Sequence, residues 1–191
     1  MPPPVPPVPP SASHAPAPVG PAPPVVPSEG PAGAFLVDLC IYNGAPFADH
    51  WAYFIRPANS PSIGVTIQAL GDVLHGFSFQ IERNHDIEHA ENRPTKRIPM
   101  QWVDGNHFDE AAMLGDGTAR IDANPNCPFE VILHAVEVPG KSLNSIRSTV
   151  AKGKKIVQRN CQTWIVEAAD ELVKAGMFEA TTAAYLRAVK Q

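Results

Sequence analysis

A cysteine at 161 is the residue in this sequence whose type and position best suit nucleophilic chemistry. It follows Asn160 at the point where a strand-like run, KKIVQ, gives way to a helical pattern, CQTWIVEAADELVKAG. Asparagine is a favoured N-cap residue, so Cys161 is predicted to be the first residue of the helix. A thiol there meets unpaired backbone N–H groups and the positive end of the helix dipole, which both favour the thiolate. The same N–H groups can donate to a developing oxyanion.

A purely structural role explains the same cysteine. The helix has an apolar stripe at spacings of three and four, made by Trp164, Ile165, Ala168 and Leu172. Cys161 extends this stripe by one turn, and cysteine is a common small buried residue. Position alone therefore leaves both interpretations open.

A nucleophilic thiol needs a base, and His50 is the histidine best placed to supply it. It opens the predicted strand HWAYFIR, on the face shared by Ala52 and Phe54. If the next hairpin pairs Ile55 with Ile63, His50 lies opposite Gln68. Side chains opposite each other in a hairpin share a face, so Gln68 would orient the ring. A one-residue slip would remove this contact, and His75 is the next candidate to orient His50.

Other reactive side chains are weaker candidates. Cys40 lies in an apolar strand and Cys127 in a loop, and neither has a base nearby in sequence. The segment HDIEH, residues 85–89, places two histidines four apart and would suit a metal on a helix. The surrounding asparagines and Pro94 instead favour a solvated loop, so we expect no metal and no organic cofactor.

Composition and charge exclude several classes of protein. The net charge of −4 provides no basic field for nucleic acid or anionic membranes. No apolar run reaches the roughly 18 residues needed to span a bilayer, and the start does not match a secretory signal. Three scattered cysteines argue against a disulfide framework and for a reducing compartment, so the cytosol or nucleus is expected.

The first 32 residues form a separate compositional class. They carry most of the 22 prolines and almost no charge, so they are predicted to be a disordered, extended tail. Their PxxP spacings could dock an SH3 or WW groove, although a flexible tail without a partner has the same composition. Residues 33–191 are predicted to be a single globular domain.

The globular part alternates strand formers with turns and ends in helical patterns. Predicted strands are 35–43, 50–56, 63–70, 76–83, 97–103, 129–138 and 154–158; predicted helices are 142–153, 161–175 and 179–191. Residues 104–128 are predicted to be mostly loop with one helical turn. Strands in a run followed by helices indicate an α+β fold, with an antiparallel sheet of about five to seven strands packed against C-terminal helices.

The segments HWAYFI and NCQTW, in that order, resemble the histidine strand and cysteine helix of circularly permuted papain-like proteins. That superfamily includes NlpC-type, lecithin retinol acyltransferase-like and PPPDE-type members, and the chain is also similar to fungal domains with an HW strand and a late C-x-x-W helix. The resemblance implies a permuted papain-like fold, with Cys161 as nucleophile and His50 as base. Gln162 and Thr163 stand where the acyltransferase relatives have a different pair.

The expected function is therefore a cysteine-dependent hydrolase or acyltransferase acting on an amide, isopeptide or ester bond of a protein or peptide substrate. Cys161, His50 and Gln68 would be its catalytic residues. The alternative is a non-catalytic interaction module of the same fold, in which Cys161 and Trp164 pack the helix to the sheet and the proline-rich tail recruits partners.

Overall fold

Five of the predicted strands, those between residues 35 and 103, are present in a computed structural model that describes residues 21–141 and 158–191. The strands are β1 (Phe35–Tyr42), β2 (His50–Pro57), β3 (Ile63–Asp72), β4 (Gly76–Asp86), β5 (Lys96–Val103) and a short β6 (Arg120–Asp122). The helices are a 3-10 turn (Gly105–His107), α1 (Glu110–Leu114), α2 (Pro128–Ala135), α3 (Cys161–Lys174) and α4 (Ala180–Val189). Both predicted C-terminal helices are confirmed, within one or two residues.

The strands form one antiparallel sheet in the order β5-β1-β2-β3-β4-β6. An α+β fold with an antiparallel sheet and C-terminal helices is thus confirmed, and its six described strands lie within the predicted number. The helices pack on one face of the sheet, where the Tyr53 hydroxyl donates to the Ile165 carbonyl of α3 at 3.0 Å. The opposite face carries a smaller buried cluster around Cys40, Ala52 and Phe54.

The predicted stripe of α3 is the part of the helix that enters the main core. Trp164, Ile165, Ala168 and Leu172 are all fully buried. Cys161 is buried as well, but it lies outside this cluster.

The segment FEVILHAVEV, predicted to be a strand, forms α2 instead, and that prediction was wrong. Pro128 occupies the first helical turn, where its missing N–H costs nothing. Phe129 and Leu133, four residues apart, are fully buried, as helical periodicity requires. The run is rich in β-branched and apolar residues, which favour a strand by local propensity. In such a run the helical spacing of the buried residues cannot be recognised from the sequence.

A buried ion pair attaches α2 to the sheet. Arg83 of β4 donates from Nη1 and Nη2 to the two carboxylate oxygens of Glu130, at 2.8 and 2.9 Å. Its Nε donates to Asp122 at 3.0 Å, and Glu130 also accepts from the Asn126 N–H at 2.7 Å. Both side chains are fully buried, so the two-bond pairing of guanidinium and carboxylate is the main compensation for taking the two charges out of water.

Part of the proline-rich tail packs against the domain. Residues 21–31 run beside β5 and α4 without helix or strand, and the Trp102 indole N–H donates to the Pro27 carbonyl at 2.9 Å. The change of composition at residue 32 is therefore not where packing begins. Residues 1–20, the predicted helix 142–153 and nearly all of the predicted strand 154–158 lie outside the described residues. No helix in the described ranges is long and apolar enough to cross a membrane.

Removing one member of the buried pair should strongly destabilise the domain. Glu130→Ala leaves the Arg83 guanidinium buried without its carboxylate, a loss of about 3 to 5 kcal/mol in the free energy of unfolding. Urea unfolding measures this loss, and Glu91→Ala makes the same chemical change at an exposed position. Equal stability of the two variants would show that the pair does not hold α2 in place.

Candidate active site

The predicted N-cap is present at the start of α3. The Asn160 side-chain oxygen accepts from the Thr163 N–H at 3.0 Å, and Asn160 itself has extended backbone angles. The cap satisfies one of the unpaired donors of the first turn. It leaves the N–H groups of Cys161 and Gln162 free to face the cysteine sulfur.

The start of α3 lies beside an unpaired stretch of β2. The pairing of β2 with β3 covers only Tyr53–Ile55, while its pairing with β1 extends to His50. The Ile41 carbonyl accepts from Thr95 on the β5 side, so the Ile41–Trp51 pair is not hydrogen-bonded. The backbone groups of Trp51 therefore point away from β1, toward the gap where β3 has diverged.

The sulfur of Cys161 occupies this gap. Its Sγ lies 4.0 Å from the Asp49 carbonyl oxygen, and the Trp51 N–H acts on it to oppose the rise in its pKa that burial causes. Asp49 and Trp51 are the chain neighbours of His50. The sulfur thus lies beside the main chain of β2 at the strand position of His50.

A buried amide holds the helix start against the strand. Gln162 is fully buried, and its Nε2 donates to the Asp49 carbonyl at 2.8 Å. Its Oε1 accepts from the Gln191 N–H at 2.9 Å, and the Gln191 side chain in turn accepts from the Asp49 N–H at 2.9 Å. These bonds fix the spacing between α3 and β2, and therefore the position of the sulfur.

The predicted contact between His50 and Gln68 is present, although the predicted register is shifted by two residues. Ile55 pairs with Val65 rather than Ile63. A two-residue shift keeps every side chain on its face, so His50 still meets Gln68 diagonally, and Nε2 lies 2.7 Å from Oε1. His75, the other candidate to orient His50, is exposed and contacts Asp72 instead.

Neighbouring acceptors determine which ring nitrogen of His50 carries the proton. Gln68 Nε2 donates to Gln80 at 2.8 Å and to Glu82 at 3.3 Å. The amide nitrogen thus faces these two acceptors and the amide oxygen faces His50, which must donate from Nε2. Nδ1 is then the ring nitrogen that keeps a lone pair.

Burial keeps both members of the pair neutral. It raises the pKa of the Cys161 thiol, and the N–H groups of Trp51, Gln162 and Cys161 oppose this rise. Burial also lowers the pKa of His50, against the hydrogen bond that the ring donates to Gln68 and the charge of Glu82, which both act to raise this pKa. A neutral thiol beside a neutral imidazole is the starting state for general-base activation, in which the thiolate forms as the bond to the substrate is made.

A polar cleft of about 260 Å³ opens on the His50 side of the sheet. Its lining includes His50, Gln68, Tyr42, Glu82, His85 and Asn92. His85 contacts Thr66 at 2.7 Å and Glu82 at 3.1 Å, so the hydrogen-bonded side chains continue across β3 and β4. Sequence reasoning missed Glu82, Asp49 and the locking role of Gln162, because only the strand register brings them to this point.

The remaining candidates lie elsewhere. Cys40 and Cys127 are buried free thiols, and burial raises the pKa of Cys40 to about 12 and that of Cys127 to about 11. Residues 85–89 span the end of β4 and a turn rather than a helix. Within residues 21–141 and 158–191, no three His, Cys, Asp or Glu side chains are grouped to hold a metal ion.

These features define an α+β protein in which the first turn of a capped helix carries a thiol to the main chain of a strand histidine. The chain belongs to DUF6540, a family of unknown function, whose family profile matches residues 37–179. The match includes most of β1, all of β2 to β5, and α3 with Cys161 at its start. No curated protein and no solved structure matches the chain significantly.

The histidine should titrate below its ordinary range. In an NMR titration of the C2 proton, we expect a His50 pKa below 6.5, because burial disfavours the imidazolium. Gln68→Leu removes a bond that favours the charged form, so the pKa should fall further. Ser78→Ala, on β4 and away from the ring, serves as the control. A pKa that rises in Gln68→Leu would contradict the assigned hydrogen bond.

Proposed function

We propose that this protein is a cysteine-dependent hydrolase or acyltransferase that acts on an amide, isopeptide or ester bond. The observation that carries the proposal is the position of Cys161 Sγ at the capped start of α3, 4.0 Å from the carbonyl oxygen of Asp49, the residue that immediately precedes His50. The hydrogen bond from His50 to Gln68 supports it, since it leaves Nδ1 as the proton acceptor. The order of a histidine strand before a cysteine helix is also that of permuted papain-like folds, which we propose for this domain.

In the proposed reaction, His50 Nδ1 removes the Sγ proton of Cys161 as the sulfur attacks the substrate carbonyl carbon. The new C–S bond moves the carbonyl electrons onto oxygen, and backbone N–H groups of the α3 start donate to this oxyanion. The imidazolium then gives its proton to the leaving nitrogen or oxygen as the carbon–leaving-group bond breaks. This leaves a thioester on Cys161.

The second half of the reaction releases the acyl group. His50 takes a proton from water, or from an acceptor amine or alcohol, as this group attacks the thioester carbon. The C–S bond breaks and the sulfur recovers the proton from the imidazolium. Gln68 takes no part in bond making, but it holds the ring in the tautomer that both halves need.

The alternative, a non-catalytic interaction module, has one observation in its favour: Cys161 is 7% exposed, so a substrate carbonyl must reach it through the splayed strands. The three free cysteines suit a reducing compartment under either proposal, and we retain the cytosol or nucleus as the proposed location. Acylation of the thiol separates the two proposals.

The test is acyl transfer from p-nitrophenyl acetate, followed by mass spectrometry of the intact protein and of its peptides. We expect a single acetyl group on Cys161, none in Cys161→Ala, and unchanged labelling in Cys127→Ala. His50→Gln should slow acylation by about 10²-fold or more, since it removes the base. Far-UV circular dichroism should show that each variant remains folded.

Labelling rates provide a second measurement. Iodoacetamide at neutral pH should modify Cys161 about tenfold or more faster than Cys40 or Cys127, because Cys161 is the cysteine for which a base, His50, is proposed. Slow, equal modification of all three cysteines, together with no acetyl-enzyme, would overturn the proposed function and leave the interaction module.

A further inference from the structure

A groove between β5 and α4 holds the chain's own proline-rich segment. Residues 22–31 lie along it, and its walls include Met100, Trp102, Glu179, Thr182 and Tyr185. The segment leaves the groove at Pro31, whose carbonyl accepts from the Ala34 N–H at 3.0 Å just before β1 begins. The groove lies on different elements from the cleft around His50, so it is a separate surface.

The groove provides the two groups that bind a proline-rich chain, a side-chain hydrogen-bond donor and an aromatic ring. Proline has no backbone N–H but keeps its carbonyl, so a side-chain donor facing a carbonyl is the complementary group. Trp102 provides it through the 2.9 Å bond from its indole N–H to the Pro27 carbonyl. Flat aromatic rings also pack well against proline, and this combination is how polyproline II segments are recognised by aromatic-lined grooves.

One position of the segment, residue 30, lies so close to the groove wall that only glycine fits there. Gly30 lies directly on the Trp102 ring, and a Cβ at that position would be 2.2 Å from the indole Cδ2 atom. Any larger residue therefore has to move off the ring. The groove therefore requires a glycine three residues after the proline whose carbonyl accepts the hydrogen bond.

The walls of the groove are held in place independently of its occupant. Gln101 of β5 accepts from the Glu179 N–H at 2.9 Å and from the Thr182 hydroxyl at 3.0 Å. It also donates to the Met177 carbonyl at 3.2 Å. These bonds attach the start of α4 to β5, so the groove should persist when the segment leaves it.

The fit of the segment to the groove is incomplete. A cavity of about 430 Å³ remains between the segment and the walls. The charged residues around it are Glu29 of the segment and Glu179 of the wall, and both are acidic. A ligand with a cation beside its prolines would therefore complement the wall better than the segment does.

We propose that this groove is a recognition site for proline-rich peptides of other proteins, with a basic residue beside the prolines, and that residues 22–31 occupy it in cis. The tethered segment has an effective concentration on the order of millimolar, so it competes with any such ligand. A ligand gains access by displacing the tail, which is then released for contacts of its own. This inference does not depend on the proposed catalysis.

The experiment uses the full chain and a fluorescein-labelled peptide of sequence RPAPPVVPSEGP, with a form lacking the arginine for comparison. Gly30→Ala should push the cis segment off Trp102, while Gly140→Ala adds the same methyl group where nothing lies within 4 Å. Fluorescence anisotropy gives peptide affinity. The indole N–H resonance of Trp102 in a ¹⁵N–¹H spectrum reports occupancy of the groove.

We expect Gly30→Ala to bind the arginine peptide about tenfold or more tightly than the wild-type chain and Gly140→Ala do. The Trp102 resonance should shift in Gly30→Ala and return toward its wild-type position when peptide is added. Trp102→Phe added to Gly30→Ala should reduce affinity about tenfold. Glu179→Gln should abolish the preference for the arginine peptide.

Two results would overturn the proposal. One is an unshifted Trp102 resonance in Gly30→Ala without peptide binding at millimolar concentration, which would make the segment a fixed part of the domain. The other is concentration-dependent dimerisation of Gly30→Ala that excludes the peptide, which would assign the groove to the tail of a second copy.

Discussion

The candidate site depends on an exchange of partners along β2. Beyond Tyr53, β3 diverges from β2, and the main chain of Asp49 and Trp51 would be left without hydrogen bonds. Buried backbone groups cannot remain unpaired without a cost of about 1 to 3 kcal/mol each. The start of α3 fills the place of β3: Gln162 donates to the Asp49 carbonyl at 2.8 Å, and the Cys161 sulfur lies 4.0 Å from the same oxygen.

The same exchange places the thiol next to the main chain that carries the histidine. Alternate residues of β2 point to opposite faces, so His50 projects to the face of Ala52 and Phe54, while α3 packs on the face of Trp51 and Tyr53. The gap in the pairing leaves the Asp49 carbonyl free of β3, and the Cys161 sulfur lies 4.0 Å from it. Gln68, Gln80 and Glu82 then hold the ring from the far face.

The proline-rich segment shows that composition alone does not decide whether a stretch of chain packs against its own domain. Its prolines do prevent helix and sheet, and residues 21–31 form neither. Composition says nothing about Trp102, which lies about 75 residues away in sequence and donates to Pro27. An extended chain with free carbonyls and a nearby aromatic donor pack together, so a segment expected to be free instead covers a groove of its own domain.

The sequence by itself determined the strands from 35 to 103, the N-cap at Asn160 and the stripe of α3, because these follow from local periodicity and capping. It also indicated the His50–Gln68 contact, which survived a register error because a two-residue shift preserves the face. Tertiary structure decided that residues 128–135 form a helix, where the buried charge of Arg83 requires Glu130. It alone decided where Cys161 lies, since strand divergence is a property of paired strands and not of either strand's residues.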